Sequence, residues 1–176
     1  MANYTTKPLQ VSFPNFKEPR SAFEGAKPKF SGDFLIPKTD EASINAINDA
    51  CEKAIQEGLN KVFNGKIPAK SSLKSVLKDG DEKQDSVYHG HYYISASALV
   101  KPTLVGADPT IPLGDDETIV GGDYVCANLT FKAYNVGGSK GVTAYLNAVQ
   151  LVKKGEPFGK KDPTKDFVAH NNEEFI

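Results

Sequence analysis

Residues 117–153 decide the fold, and they read ETIVGGDYVCANLTFKAYN, then VGGSKG, then VTAYLNAVQLVK. Apolar and polar residues alternate over residues 124–134, as they do in a strand with one buried face. The segment therefore predicts two long strands joined by a glycine turn. The face expected to line a core carries Val125, Ala127, Leu129, Phe131 and Ala133. The opposite face carries Tyr124, Cys126, Asn128, Thr130, Lys132 and Tyr134.

The second face of this strand combines flat rings, polar groups and a lysine, and it is too polar to close a hydrophobic interior. Rings that stack on bases and amines that contact phosphates are the means by which proteins hold single-stranded nucleic acid. The outward side of residues 124–134 is therefore expected to be an accessible binding surface.

The other segments predict a mainly β fold with one amphipathic helix. Strand patterns occur at residues 9–13, 27–37 and 88–100, whereas apolar residues recur every three or four positions over residues 40–62, which indicates a helix. Residues 65–85 and 102–116 are expected to be exposed connections. About five strands, one helix and several long loops favour an OB-like five-stranded barrel with elaborated loops, with a β-sandwich as the alternative.

Length and composition limit the organisation of the chain. Its 176 residues fit one domain, expected over residues 1–154, followed by a mobile C-terminal tail over residues 155–176. The 21 basic and 22 acidic side chains give a net charge of -1, so a nucleic-acid site has to arise from local segregation of charge. With only Cys51 and Cys126, no secretory signal and no long apolar run, we expect a soluble, cytoplasmic protein without membrane contact.

No motif in the chain supports catalysis or a bound cofactor. His89 and His91 would point to the same face of a strand, and residues 115–117 could add a carboxylate ligand, but histidines beside tyrosines at a strand start are typical of ordinary surface residues. The glycines near Lys140 lack the spacing of a phosphate-binding loop. We therefore expect no metal, no cofactor and no enzymatic activity.

Aromatic and basic residues in and near the predicted strands form the candidate single-stranded DNA site. The rings are Tyr92, Tyr93, Tyr124, Tyr134 and Tyr145. The basic residues are Lys29, Lys101, Lys132 and Lys140 in or next to strands, and Lys17 and Arg20 in a loop. Each tyrosine taken singly also fits a half-buried sheet position, because tyrosine favours strands. The hypothesis depends on the set rather than on any one ring.

The C-terminus is acidic and then apolar, with Glu173 and Glu174 followed by Phe175 and Ile176. Such an end can dock its aromatic residue in a partner protein. We expect it to form a partner-binding tail.

Several segments together resemble a known family: SFPNFKEPRSA, KFSGDFLIPKTD, LKDGDEK, HGHYYISASALVKPTLV and GGDYVCANLTFKAYNVGGSKGVTAYLNAVQLVKKGEPFG. Over about residues 11–167 the chain is similar to a phage and prophage family of single-stranded DNA-binding proteins with an OB fold. That family is related in fold to the single-stranded DNA-binding proteins of short-tailed phages, whose acidic tails end in an aromatic residue. Here Ile176 follows the aromatic residue, so the tail departs from that pattern.

The resemblance implies a non-enzymatic, sequence-independent single-stranded DNA-binding protein that acts in phage DNA replication or recombination. The partners it implies are single-stranded DNA and, at the tail, replication or recombination proteins. The sequence leaves the oligomeric state open, so a further copy of the chain is an additional candidate partner. A phage structural or assembly protein that uses its β-barrel for protein contacts is the alternative interpretation.

Overall fold

The computed structural model of the protein describes residues 2–158 and 167–170. Within them lie one α-helix and nine strands, together with short 3₁₀ turns. The strands are β1 (Ala2–Thr5), β2 (Leu9–Arg20), β3 (Lys29–Pro37), β4 (Leu73–Lys74), β5 (Lys78–Asp79), β6 (His91–Ala98), β7 (Thr103–Val105), β8 (Tyr124–Val136) and β9 (Ser139–Lys153), and the helix is α1 (Glu41–Glu57).

The predicted pair of long strands is confirmed as the β8–β9 hairpin. The two strands stay paired from Tyr124 opposite Lys153 to Val136 opposite Ser139. The turn consists of Gly137 and Gly138, whose φ angles are 56° and 83°. Two successive positive φ angles define a type I′ turn, which matches the twist of a hairpin and favours glycine at both positions.

Five strands close a ring in the order β2, β3, β6, β9, β8 and back to β2. Neighbours in the ring are antiparallel except β6 and β9, which run parallel. The remaining strands are additions to this ring: β1 pairs with β8, β4 and β7 pair with β9, and β5 pairs with β6. The mainly β, OB-like class predicted from the sequence is therefore confirmed.

The interior of the ring is the hydrophobic core, and the alternation in β8 is confirmed there. Val125, Ala127, Leu129 and Phe131 are fully buried. Helix α1 packs against β8 and β1. Asp40 caps its first turn by accepting a hydrogen bond from the backbone N–H of Ser43, and the helix ends at Gly58. The core includes Val11, Phe34, Ile36, Ile47, Ile94, Leu146 and Val149.

Three connections differ from the sequence-based predictions. Residues 65–85 are not merely exposed, because they form β4 and β5 and bury Val76 in the core. The loop predicted at residues 102–116 contains β7. The strand predicted from residue 88 begins only at His91, since Tyr88 lies in a 3₁₀ turn and is completely buried. Strands β4 and β5 have two residues each and β7 has three, which is too few to leave a periodic signal in the sequence.

The start of the predicted tail is attached to the domain. The backbone N–H of Gly155 donates to Asp123, and that of Phe158 donates to the carbonyl oxygen of Gly121. The predicted boundary at residue 155 therefore falls in a segment that is still bonded to the turn preceding β8. In the described ranges, no helix has the length and apolar character needed to cross a membrane.

Candidate nucleic-acid interface

The outward faces of β6, β9 and β8 form one continuous surface. Ala96 and Ser97 of β6 pair with Ala144 and Tyr145 of β9. Because side chains alternate along a strand, Ser95 and Ser97 point outward, while Ile94 and Ala96 point into the core. Thr143 lies next along this surface, opposite Lys132 of β8. Ser95, Ser97 and Thr143 therefore form a strip of small polar side chains. The ring of Tyr145 on β9 and the amine of Lys132 on β8 lie beside it.

A first cleft of about 470 Å³ opens where this surface meets β4 and β5. Lys74 and Lys78 line one side of it, Tyr134 lies near the hairpin tip, and Ser95 and Thr143 lie on the strands of the ring. The β4 strand is held against the hairpin by its pairing with Lys140 and Gly141 of β9. The cleft therefore places two lysines close to an aromatic ring.

A second cleft of about 660 Å³ lies beneath the loop between β2 and β3. Arg20, Lys27 and Lys29 line it together with Phe23, and Ser97 belongs to its lining as well. The side chain of Phe23 is 72% exposed, which is unusual for so large an apolar group. The cleft again combines positive charge with an accessible ring.

The two clefts adjoin on β6, since Ser95 lines the first and Ser97 lines the second. The two residues lie roughly 7 Å apart on one face of the strand. We call the combined feature the outer groove. Five basic side chains line it, and no carboxylate among the described residues does so. The chain carries a net charge of -1, so the groove is a local concentration of positive charge of the kind a polyanion requires.

Residues 80–88 cover the outward face beyond one end of the outer groove. Leu35 points outward from β3 opposite Tyr93, yet only 1% of it is exposed. The ring of Tyr88 meets the ring of Tyr93 edge-on, with 5.1 Å between the centroids. The ammonium groups of Lys78 and Lys83 lie 5.8 and 5.2 Å from the Tyr93 centroid. Tyr93 therefore belongs to the covered end of the surface, within reach of two lysines.

One carboxylate lies at the margin between the covered and open parts. Asp33 of β3 pairs with Ser95 of β6. Its Oδ2 accepts a hydrogen bond from the Tyr88 hydroxyl at 2.5 Å, and its Oδ1 accepts one from the Ser95 hydroxyl at 2.6 Å. Burial and the bond to Asp33 raise the pKa of Tyr88 above the ordinary phenol value, so the hydroxyl stays protonated and donates to Asp33 over a wider range of pH.

The structure places some of the predicted site residues in or beside the outer groove. Tyr134, Lys29 and Arg20 line it. Tyr145 is 46% exposed next to Ser97, and the ammonium of Lys132 lies 5.9 Å from its ring centroid.

Other predicted site residues lie elsewhere. Tyr124 begins β8, roughly 33 Å along the strand from Tyr134. Tyr92 lies on the face of β6 opposite to Tyr93, with Lys38 over its ring at 5.0 Å. Lys101 is exposed beyond the end of β6. Lys140 pairs with Asn135 near the hairpin tip, on the face opposite to Tyr134.

Lys17 has a structural role in this conformation. Its ammonium donates to the backbone carbonyl oxygens of Gly114, Asp115 and Glu117. An ammonium has three donors, so all of them are used in holding this loop. Its ammonium therefore has no donor left for a phosphate in this conformation. Glu173, Glu174 and Phe175 lie outside the described residues.

The two histidines bond to nearby backbone. His89 Nε2 lies 2.8 Å from the carbonyl oxygen of Lys83, and His91 Nδ1 lies 2.9 Å from that of His89. Across residues 2–158 and 167–170, no three metal-ligating side chains are grouped closely enough to hold an ion.

Sequence reasoning missed four residues that line the outer groove: Phe23, Lys27, Lys74 and Lys78. For Phe23 a signal was present, because it is an aromatic residue in a loop flanked by Arg20, Lys27 and Lys29. For Lys74 and Lys78 there was none. They enter the groove only through the short pairings of β4 with β9 and β5 with β6.

A family model described as the single-stranded DNA-binding protein of Enterobacter phage Enc34 matches residues 2–176. The chain belongs to this family. Among curated proteins it is similar to p50 of Acyrthosiphon pisum secondary endosymbiont phage 1, with 29% identity over 155 residues that cover 85% of this chain and 83% of p50. Family membership confirms the resemblance inferred from the sequence.

Solved structures of phage single-stranded DNA-binding proteins share the fold. The bacteriophage Enc34 protein in complex with single-stranded DNA superposes with a TM-score of 0.75 at 25% identity, covering 90% of both chains. A second structure of the Enc34 protein gives a TM-score of 0.71 at 25% identity over 94% of this chain and 89% of that one. Bacteriophage T7 gp2.5, at 15% identity, a TM-score of 0.62 and 96% coverage of both chains, shares the fold alone.

Proposed function

We propose that the protein binds single-stranded DNA independently of sequence, without enzymatic activity, and acts in phage DNA replication or recombination in the host cytoplasm. The observation that carries the proposal is the outer groove, in which Lys29, Lys74, Lys78, Lys27 and Arg20 surround small polar strand residues with aromatic rings beside them. Membership of a family of phage single-stranded DNA-binding proteins supports the same function.

In the proposed mechanism, basic side chains position the phosphate backbone of the DNA and aromatic rings stack on its bases. Lysine and arginine side chains on both walls of the outer groove neutralise phosphates and release the counterions condensed on them. Tyr134 in the first cleft and Phe23 in the second offer ring faces to bases, with Tyr145 between them. Stacking on a ring accepts any base, because every base has a flat face. Paired bases in a duplex are already stacked on each other, so a single strand is the preferred ligand.

The partner-binding role of Glu173, Glu174 and Phe175 remains part of the proposal and rests on the sequence of the tail. Acidic residues followed by an aromatic residue suit docking to a basic, apolar-lined pocket on a replication or recombination protein. The tail follows residues 155–158, which are bonded to Gly121 and Asp123 at the start of β8. It is therefore attached at a fixed point of the domain.

The function is tested with a labelled oligo-dT and its duplex, using fluorescence anisotropy over a range of salt concentrations. The variant Lys29→Glu/Lys78→Glu reverses one charge in each cleft. The control Lys53→Glu/Lys66→Glu makes the same net change at exposed lysines that do not line the groove. We expect the groove variant to bind roughly 10- to 100-fold more weakly and the control to change little.

Two results would contradict the proposal. One is a wild-type protein that does not bind the single strand at low salt. The other is equal weakening by the two double variants, which would show that the net charge of the protein, and not the groove, determines binding.

A further inference from the structure

The margin of the outer groove holds a carboxylate whose position is fixed by two hydroxyl groups. Tyr88 donates to one oxygen of Asp33 and Ser95 donates to the other. Tyr88 is completely buried and Ser95 is exposed in the lining of the first cleft. Each carboxylate oxygen accepts more than one hydrogen bond, so both retain an acceptor position. The two hydroxyls leave Asp33 little freedom to turn away from a ligand.

A negative charge at this place opposes the binding of a polyanion. An asparagine in its place would repel phosphate less, but its single oxygen could accept only one of the two hydroxyl bonds, because its amide nitrogen is a donor. A ligand group that donates a hydrogen bond to one of the remaining acceptor positions of the carboxylate would offset this repulsion. An exocyclic amine of a base is such a group, since Asp and Glu side chains accept from the N4 amine of cytosine.

We propose that Asp33 gives the outer groove a preference for bases with an exocyclic amine, with cytosine favoured over thymine. The inference rests on the proposed binding of single-stranded DNA, and it adds a preference for base composition to that binding without requiring a particular order of bases. A base seated over Ser95 turns its pairing edge toward Asp33. Cytosine donates its N4 amine there. Thymine has two carbonyl oxygens that flank its ring N–H, and these are repelled by the carboxylate.

The neighbouring side chains leave space for such a base. Ser31, Ser95 and Ser97 are small residues on the strands around Asp33, and the pairing places Ser31 next to Ser97. Tyr145 stands beside Ser97 with nearly half of its surface exposed. One base can therefore lie over the serines while the next stacks on the ring. Charge-assisted hydrogen bonds are the stronger class, so a single contact of this kind is enough to produce a measurable preference.

The test compares labelled oligo-dC and oligo-dT of equal length at one salt concentration, with wild type, Asp33→Asn and Glu24→Gln. Glu24 is exposed in the loop beside the second cleft, so Glu24→Gln removes an equal charge without touching Asp33. We expect wild type to bind oligo-dC about fivefold or more tightly than oligo-dT. Glu24→Gln is expected to keep that ratio. Asp33→Asn is expected to bring it to about one, even if both affinities rise.

A second measurement needs no variant and so does not depend on the folding of Asp33→Asn. An oligonucleotide of N4,N4-dimethylcytosine lacks the amine donors, and wild type is expected to bind it no better than oligo-dT. Equal binding of oligo-dC and oligo-dT by wild type, or an unchanged ratio in Asp33→Asn, would overturn the inference while leaving the proposed function in place. Failure of wild type to bind any of the oligonucleotides would overturn both.

Discussion

The outward face of β8 differs between its two ends. Toward the start of the strand, Thr130 donates to Asn3 of β1 at 2.8 Å and Asn128 donates to Thr5 at 2.9 Å. Asn147 of β9 donates to both Asn128 and Thr130. Toward the hairpin tip, Lys132 and Tyr134 lie beside or within the first cleft.

Both ends are polar, but their polar groups have different partners. At the first end amides and hydroxyls bond to each other across three strands, so they fix β1 and leave few groups for a ligand. At the second end an amine and a phenol ring lie at an open surface. The difference shows that the polarity of a strand face does not identify a binding site unless the bonds among its polar groups are known.

Among single substitutions, we expect the largest loss of stability at the first end of β8, where Asp123 directly precedes the strand. Its side chain is completely buried and accepts hydrogen bonds from the backbone N–H groups of Val120 and Gly155 and from Lys154. Asp123→Ala would leave buried donors without a partner. We expect the free energy of unfolding, measured by urea denaturation, to fall by about 3 kcal/mol or more. DNA affinity of the folded variant is expected to stay the same.

Two comparisons sharpen this prediction. Burial acts to raise the pKa of Asp123, but the bonds from Lys154 and the two N–H groups outweigh it, so the pKa is lowered. A carboxyl whose pKa is lower in the folded protein stabilises it above the pKa of the unfolded chain, and that stabilisation is lost as the pH falls through the folded value. Asp123→Asn should lose this acid dependence. Lys154→Ala removes one exposed donor and should cost less, so an equal cost would contradict the account.

The next effect concerns the rings at the two ends of β8. Tyr134→Ala removes a ring from the first cleft, whereas Tyr124→Ala removes one that lies outside the outer groove, beside Lys153. Stacking on one ring contributes roughly 1 to 3 kcal/mol per base. We therefore expect Tyr134→Ala to weaken oligo-dT binding about fivefold or more, and Tyr124→Ala to leave it nearly unchanged. Anisotropy titrations measure both.

The stability of the two tyrosine variants provides the control, since a partly unfolded protein would also bind weakly. Thermal unfolding should show both folded at the titration temperature. If Tyr124→Ala weakened oligo-dT binding more than Tyr134→Ala does, the DNA would have to lie along the first end of β8. That result would contradict the location of the outer groove.

The sequence predicted the core side of β8, the hairpin, the single helix and the fold class, because these depend on periodicity and on local turn chemistry. The outward face of β8 was predicted as one surface. No pattern within the strand distinguishes the part whose polar groups are bonded to other strands from the part that is open. The bonds that occupy Asn128 and Thr130 come from Thr5 and Asn3, more than 120 residues away in the chain. Only the pairing of β1 with β8 brings these residues together.

The same limit explains which basic residues of the outer groove the sequence pointed to and which it did not. Lys29 begins β3, whose strand pattern is visible in the sequence, and it lines the second cleft. Arg20 lines the same cleft, but it was predicted to lie in a loop, whereas β2 continues past the predicted strand at residues 9–13 and ends at Arg20. Lys17 is next to them in sequence, but its ammonium is taken up by carbonyl oxygens about 100 residues further along the chain. Lys78 reaches the first cleft through a two-residue strand. Hydrophobic periodicity carries no information about such contacts.

The smallest effect separates two lysines that look alike locally. Lys132 lies 5.9 Å from the ring centroid of Tyr145, and Lys153 lies 4.7 Å from that of Tyr124. Both are exposed, but only Lys132 is near the outer groove. If Lys132 contacts one phosphate, Lys132→Gln should reduce the slope of log affinity against log salt by roughly 0.7, the value for one contact with a single strand. Lys153→Gln should leave the slope unchanged. Both variants lose one positive charge and one ring contact, so they differ only in their distance from the outer groove. Equal slopes of log affinity against log salt would mean that Lys132 acts only through the net charge of the protein. The groove would then end at Tyr145.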